Sequence, residues 1–168
     1  VFAEDHPSWR FLGVDPSSEM LKLARETVGP LASRITFHEG YIDAAPVQAF
    51  DGATCLLTLH FLPLPERLRT LTELHKRLKP GAPLVVAHHS FSQEPDAKTL
   101  WLSRYAAFAA ASGVESEKTR SAAAAIGERL PVLSPEQDES LLREAGFSNV
   151  TLFYAAFTFR GWVAFKDG

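Results

Sequence analysis

Two short apolar runs bracketing one amphipathic helix constrain this chain more than any other feature. Ala53 to Leu59 (Ala-Thr-Cys-Leu-Leu-Thr-Leu) and Pro83 to His88 (Pro-Leu-Val-Val-Ala-His) are nearly continuous in apolar and β-branched residues. Such runs mark strands buried on both faces. Between them Leu64, Leu68, Leu71, Leu74 and Leu78 recur every three or four residues, which lines one face of a helix. Strand, helix and strand in that order predict parallel neighbours in an α/β sheet. The basic end of the helix, His75-Lys76-Arg77-Leu78-Lys79, lies where the helix dipole favours cations, and reads as a solvated helix end rather than a nucleic-acid patch.

The same alternation runs through the rest of the chain. Trp9 to Val14 predicts a strand, and Asp15-Pro16-Ser17-Ser18-Glu19 offers Asp15 as N-cap with Pro16 at the first helical position. That helix stops at Gly29-Pro30, and Ile35 to His38 predicts a second strand. Residues 94–130 read as helical, divided at Gly113, with Leu100, Trp101, Tyr105 and Phe108 on one face. Ser134-Pro135-Glu136-Gln137 reads as a capping box. Val150 to Phe157 and Gly161 to Lys166 lie so close that they must pair antiparallel.

Composition narrows the classes. With 168 residues, 46% of them hydrophobic and 22% charged, the chain reads as a single domain over 1–168, with 94–130 as a helical insertion or lid. Cys55 stands alone, which excludes an intrachain disulfide framework and fits a reducing, cytoplasmic compartment. The net charge of −3 argues against nucleic acid as partner. No apolar stretch approaches the roughly 20 residues of a membrane span. A small-molecule substrate is the expected partner, and a homodimer is allowed.

In open α/β sheets ligands bind beyond the carboxyl ends of the strands, which selects Asp15, Gly40-Tyr41-Ile42-Asp43, Thr58-Leu59-His60-Phe61 and His88-His89-Ser90. A carboxylate at a strand end can accept both hydroxyls of a ribose, so Asp15 reads equally as a nucleoside ligand or as a helix cap. His60 is a candidate general base or a residue that shapes the pocket. His88 and His89, adjacent on a strand, point to opposite faces and cannot jointly chelate, so no metal is expected. Trp101, Tyr105 and Phe108 read as core packing or as a lid.

Three segments in order, Phe11-Leu12-Gly13-Val14-Asp15-Pro16-Ser17-Ser18-Glu19-Met20-Leu21, Leu78-Lys79-Pro80-Gly81-Ala82-Pro83-Leu84-Val85 and Leu142-Arg143-Glu144-Ala145-Gly146-Phe147, together with the closing hairpin, resemble the class I S-adenosylmethionine-dependent methyltransferases. From Ile35 onward the chain is most similar to the carboxy-S-adenosylmethionine synthase branch, through Thr58-Leu59-His60-Phe61-Leu62, Glu66-Arg67 and Leu152-Phe153-Tyr154-Ala155-Ala156-Phe157-Thr158-Phe159. The hairpin separates this pattern from the nicotinamide-binding fold, whose two halves are parallel βαβ units.

The resemblance implies a Rossmann-like α/β sheet with helices on both faces and S-adenosylmethionine as cofactor. Asp15 and Pro16 would hold the ribose, Met20 would pack on the adenine, and Gly40, Tyr41 and Ile42 would frame its other side. Leu57 and Phe61, within Leu56 to Phe61, would line the methionine end, His60 would be the catalytic candidate, and Arg120 would match a helical arginine that holds an extra carboxylate. Tyr41 stands where the family usually has an acid, and Leu56 where the branch has a polar residue. The expected function is methyl transfer to a small molecule, with carboxy-S-adenosylmethionine synthesis or a non-catalytic association role as alternatives. The family's first strand and Gly-rich loop, which would lie between the strands at Trp9 to Val14 and Ala53 to Leu59, have no counterpart here, so the native protein is expected to be longer, and the chain alone to bind the cofactor weakly or not at all and to be inactive.

Overall fold

A computed structural model describes all residues 1–168. The chain forms two compact units, Val1–Val47 and Gln48–Gly168.

The first unit contains α1 (Phe2–Asp5), β1 (Phe11–Asp15), α2 (Ser18–Val28), a 3-10 helix (Gly29–Arg34) and β2 (Ile35–Glu39). The strands β1 and β2 pair in parallel, from Phe11 opposite Ile35 to Asp15 opposite Glu39. The segment before β1 is tied down by the Arg34 guanidinium, which donates to the carbonyls of His6, Trp9 and Ala3. Trp9 stacks on His6 at 4.0 Å rather than entering the strand. The expected cap is corrected: Asp15 remains in β1, Ser17 is the N-cap, and its hydroxyl accepts the Met20 N–H. Asp15 instead accepts the Ser17 N–H at 2.8 Å, a side-chain turn that ends the strand two residues before the helix begins.

The second unit contains β3 (Ala53–Leu56), α3 (Leu64–Lys76), β4 (Pro83–His89), α4 (Pro95–Ala111), α5 (Ser116–Arg129), α6 (Pro135–Glu144), β5 (Phe147–Ala156) and β6 (Phe159–Lys166). The sheet order is β3-β4-β6-β5. The pair β3–β4 is parallel, while β6 runs antiparallel to both neighbours, so the closing hairpin places its second strand inside the sheet. β1 pairs with β2 in one sheet, and β3 with β4 in the other. Leu71, Leu78, Leu84, Val86, Leu141, Leu142 and Trp162 form the main core, and Phe91, Ile126 and Val132 a second one near α4 and α5.

Four further sequence expectations need correcting. The strand at Ala53 stops at Leu56, because Leu57 takes a left-handed backbone (φ 57) and a 3-10 turn follows at Leu59–Phe61. It is also not buried on both faces: Ala53 and Cys55 are half-buried and Thr54 and Leu56 exposed, as on a strand with one face on the core. The basic end of α3 is not simply solvated, since Arg77 is buried against Glu73 at 2.5 Å and Lys79 pairs with Asp51 at 2.6 Å. The stripe on α4 divides: Trp101 and Tyr105 pack against the second core, whereas Leu100 and Phe108 are exposed.

Other signals appear as read. Gly113 (φ 93) separates α4 from α5, and no helix is long and apolar enough to cross a membrane. The Ser134 hydroxyl accepts the Gln137 N–H while Gln137 accepts the Ser134 N–H at 2.9 Å, a complete capping box. Replacing Ser134 by Ala is expected to cost about 1 kcal/mol, read as a lower urea midpoint with an unchanged slope.

Candidate functional site

Asp15, Pro16, Met20, Gly40, Tyr41 and Ile42 collect around the carboxyl ends of β1 and β2 in the first unit. The backbone brings the first and fourth together, because the Gly40 N–H donates to the Asp15 carbonyl at 3.1 Å. Gly40 has φ 148, and a Cβ there would stand 3.1 Å from His38 Nε2. A larger residue would therefore strain this corner. One Asp15 oxygen is occupied by the Ser17 N–H, which fixes the carboxylate and leaves its second oxygen as an acceptor. Met20 and Tyr41, in the first turn after β1 and just after β2, are 52% and 60% exposed, so neither large side chain is consumed by the core. This donor set fits a nucleoside: an acceptor for a vicinal diol, and flat or soft apolar surface for a base.

The second unit carries the segment after β3. Leu57 N–H donates to the Ala87 carbonyl at 2.7 Å, continuing the β3–β4 ladder through the left-handed corner. The corner presents Leu57 and Phe61 outward, both more than half exposed, and turns His60 inward to 3% exposure. His60 Nδ1 accepts the His89 backbone N–H at 3.4 Å. An accepting Nδ1 carries no proton, so the neutral ring holds its proton on Nε2, as a donor. Burial, reinforced by the neighbouring His89 and His88, pushes the His60 pKa down to about 4. His89 is likewise lowered to about 4 by burial and then by His88, and its Nδ1 lies 2.9 Å from Thr158 Oγ1. At neutral pH both rings are uncharged. The adjacent histidines face opposite ways: His88 packs against Trp162 at 5.5 Å, and His89 stacks on Phe159 at 4.1 Å. Arg120 stands exposed on α5 with neither an ion pair nor a hydrogen bond.

A buried ionic cluster in this unit carried no assignment in the sequence. Arg67 on α3 is fully buried and donates to Asp138 on α6 at 2.7 Å and to the Pro131 carbonyl at 2.8 Å. His88 Nε2 lies 3.2 Å from the same Asp138 oxygen without forming a hydrogen bond. A signal existed: Arg67 falls on the leucine face of its helix, between Leu64 and Leu71, and Asp138 falls on the face of Leu141 and Leu142. A charge on an apolar stripe requires an opposite charge across the packing.

A family model for a methyltransferase domain matches residues 1–81. The carboxy-S-adenosyl-L-methionine synthase of Chromohalobacter salexigens is 29% identical over 157 residues, covering 92% of this chain and 58% of that protein. The apo structure of the S-adenosylmethionine-dependent methyltransferase SibL aligns with a TM-score of 0.69 at 18% identity, over 99% of this chain and 46% of that one. Human N-acetylserotonin methyltransferase, solved in complex with SAM, aligns with a TM-score of 0.66 at 16% identity, over 99% and 43%. This chain therefore spans about half the length of the proteins it matches.

The fold is that of the class I methyltransferases. The sequence is similar to the carboxy-S-adenosyl-L-methionine synthases along nearly its whole length.

The depressed histidines fix a pH dependence. Their folded pKa of about 4 lies below the ordinary value of 6.5, so between those values the unfolded chain binds protons that the folded chain does not. Stability is full above pH 6.5 and falls as pH drops toward 4, by on the order of 1 kcal/mol per pH unit for each ring. Urea unfolding at pH 7, 6 and 5 should show this slope, and the His60→Gln, His89→Gln double variant should flatten it.

Proposed function

We propose that this chain binds S-adenosylmethionine and serves methyl transfer to a small-molecule acceptor. The observation that carries the reading is the fixed Asp15 carboxylate at the end of β1, hydrogen-bonded through its backbone to Gly40, with Met20 and Tyr41 exposed on the adjoining segments. Asp15 would accept the ribose hydroxyls and the side chains of Met20, Tyr41 and Ile42 would cover the adenine. When bound, the cofactor's sulfonium supplies an activated methyl group, so the protein's task is orientation more than acid–base chemistry. His60, neutral and protonated on Nε2, suits hydrogen-bond donation better than proton abstraction. Leu57 and Phe61 offer apolar surface.

The carboxy-S-adenosylmethionine reading is the alternative, supported by the names of the relatives and by Arg120, an exposed cation with no carboxylate of its own. The two readings share the Asp15 site and differ in what the cofactor carries.

Titrating the 15N-labelled chain with S-adenosylhomocysteine tests the shared part even when binding is weak. The amide resonances of Asp15, Met20, Tyr41 and Ile42 are expected to shift, and Asp15→Asn to weaken the apparent affinity by about tenfold or more, near 1.4 kcal/mol. No shift at millimolar ligand would leave only a non-catalytic role for the fold. Mass spectrometry of ligand extracted with the protein then separates the two readings, since a carboxylated cofactor is heavier.

A further inference from the structure

A pair of arginines in the second unit converges on one aromatic ring without an acid to answer either charge. The guanidinium carbons of Arg160 and Arg104 lie 5.0 and 5.1 Å from the Trp101 ring centre. Arg160 follows the hairpin turn and is held in place, its Nη1 donating to the carbonyls of Phe157 and Phe159 at 2.8 Å each. Its remaining N–H groups have no partner. Arg104 makes neither an ion pair nor a hydrogen bond.

Other arginines of this unit behave differently. Arg67 is answered by Asp138, Arg77 by Glu73 and Arg143 by Glu139. The half-buried Arg160 is compensated by carbonyls and an indole alone, and burial lowers its pKa from the ordinary arginine value. Partly desolvating a cation that has no carboxylate is unfavourable, and an anion from outside the chain would reduce that cost. A guanidinium fixed in advance is also the group best suited to a planar oxyanion. The surface beside it is flat and apolar: Phe108, half exposed, stacks on Phe157 at 4.4 Å.

We propose that Trp101, Arg104 and Arg160 form a binding site for the oxyanion of a small flat molecule, a carboxylate or a phosphate ester on an apolar ring. Binding at this site is a property of the second unit alone; that the anion belongs to the methyl acceptor rests on the methyltransferase reading.

The test is an NMR titration of the full chain with benzoate, phenyl phosphate and neutral benzamide, following the Trp101 indole N–H and the Arg160 Nε–H. Both signals are expected to move with benzoate or phenyl phosphate, with affinity at least about tenfold above that for benzamide. Whichever anion binds more tightly identifies the headgroup. Arg160→Gln is expected to abolish the preference for the anion and Arg160→Lys to keep part of it. The exposed Arg104→Gln, which breaks no hydrogen bond, is expected to weaken anion binding about threefold and keeps the test decisive if Arg160 variants fail to fold. Equal binding of benzoate and benzamide, or an anion preference that persists in the Arg104→Gln, Arg160→Gln double variant, overturns the proposal. If benzoate binds as expected while S-adenosylhomocysteine leaves the Asp15 region unmoved, the anion site stands and the cofactor reading falls.

Discussion

The buried contact between Arg67 and Asp138 is the constraint around which the larger unit is arranged. Neither group could stay charged in this environment alone, because an unpaired ion removed from water costs several kcal/mol. Their 2.7 Å contact therefore requires α3 and α6 to meet at one register. That register also seats Leu71, Leu141 and Leu142 with Trp162 in one core, and lets the Trp162 indole N–H donate to Glu139 at 3.2 Å. A pair of apolar residues could stabilise the same packing as well or better; what the ion pair adds is intolerance of a shifted one. The third group at this point, His88, comes from the strand that pairs with both β3 and β6.

That central strand also explains how the hairpin and the β3 corner become one neighbourhood. β4 ends at His89, whose backbone N–H is accepted by His60 and whose ring reaches Thr158 in the hairpin turn. Ser90 extends the link, its N–H donating to the Thr158 carbonyl at 2.9 Å. Thr158 is fully buried beside Phe157, which takes a left-handed backbone (φ 51). A non-glycine residue in that region carries a conformational cost, offset here by the hydrogen bonds of Thr158 and the stacking of Phe157 on Phe108.

Much of the fold was legible because its signals are local. The leucine spacing of α3, the Ser134 box and the break at Gly113 each act within a few residues, and each forms as read. The errors fall where a non-local partner decides. Asp15 looked like a helix cap until pairing with Glu39 kept it in the strand. Leu57 sits in an apolar run that alone reads as strand, and only the corner at its left-handed backbone ends it. Of the candidate site, the residues at strand ends were legible from the rule that ligands lie beyond the carboxyl ends. The electrostatic state of His60 was not, because it depends on His88, His89 and Arg67, residues 7 to 29 positions away in sequence.

Charge in this unit follows one logic with a single departure. Where a cation is buried it has a carboxylate, as at Arg67 and Arg77, and where His60 and His89 have none they are held neutral. Neutralisation is open to an imidazole because its ordinary pKa is close to neutrality. It is closed to a guanidinium, which stays charged even when burial lowers its pKa. Arg160 can therefore follow neither route by itself. Its Nη1 is fixed by two carbonyls and the face of Trp101 lies beneath it, but both are weaker answers to a full positive charge than a carboxylate would be. The stability that would come from a built-in acid is forgone, and the charge stays available to an anion from outside the chain.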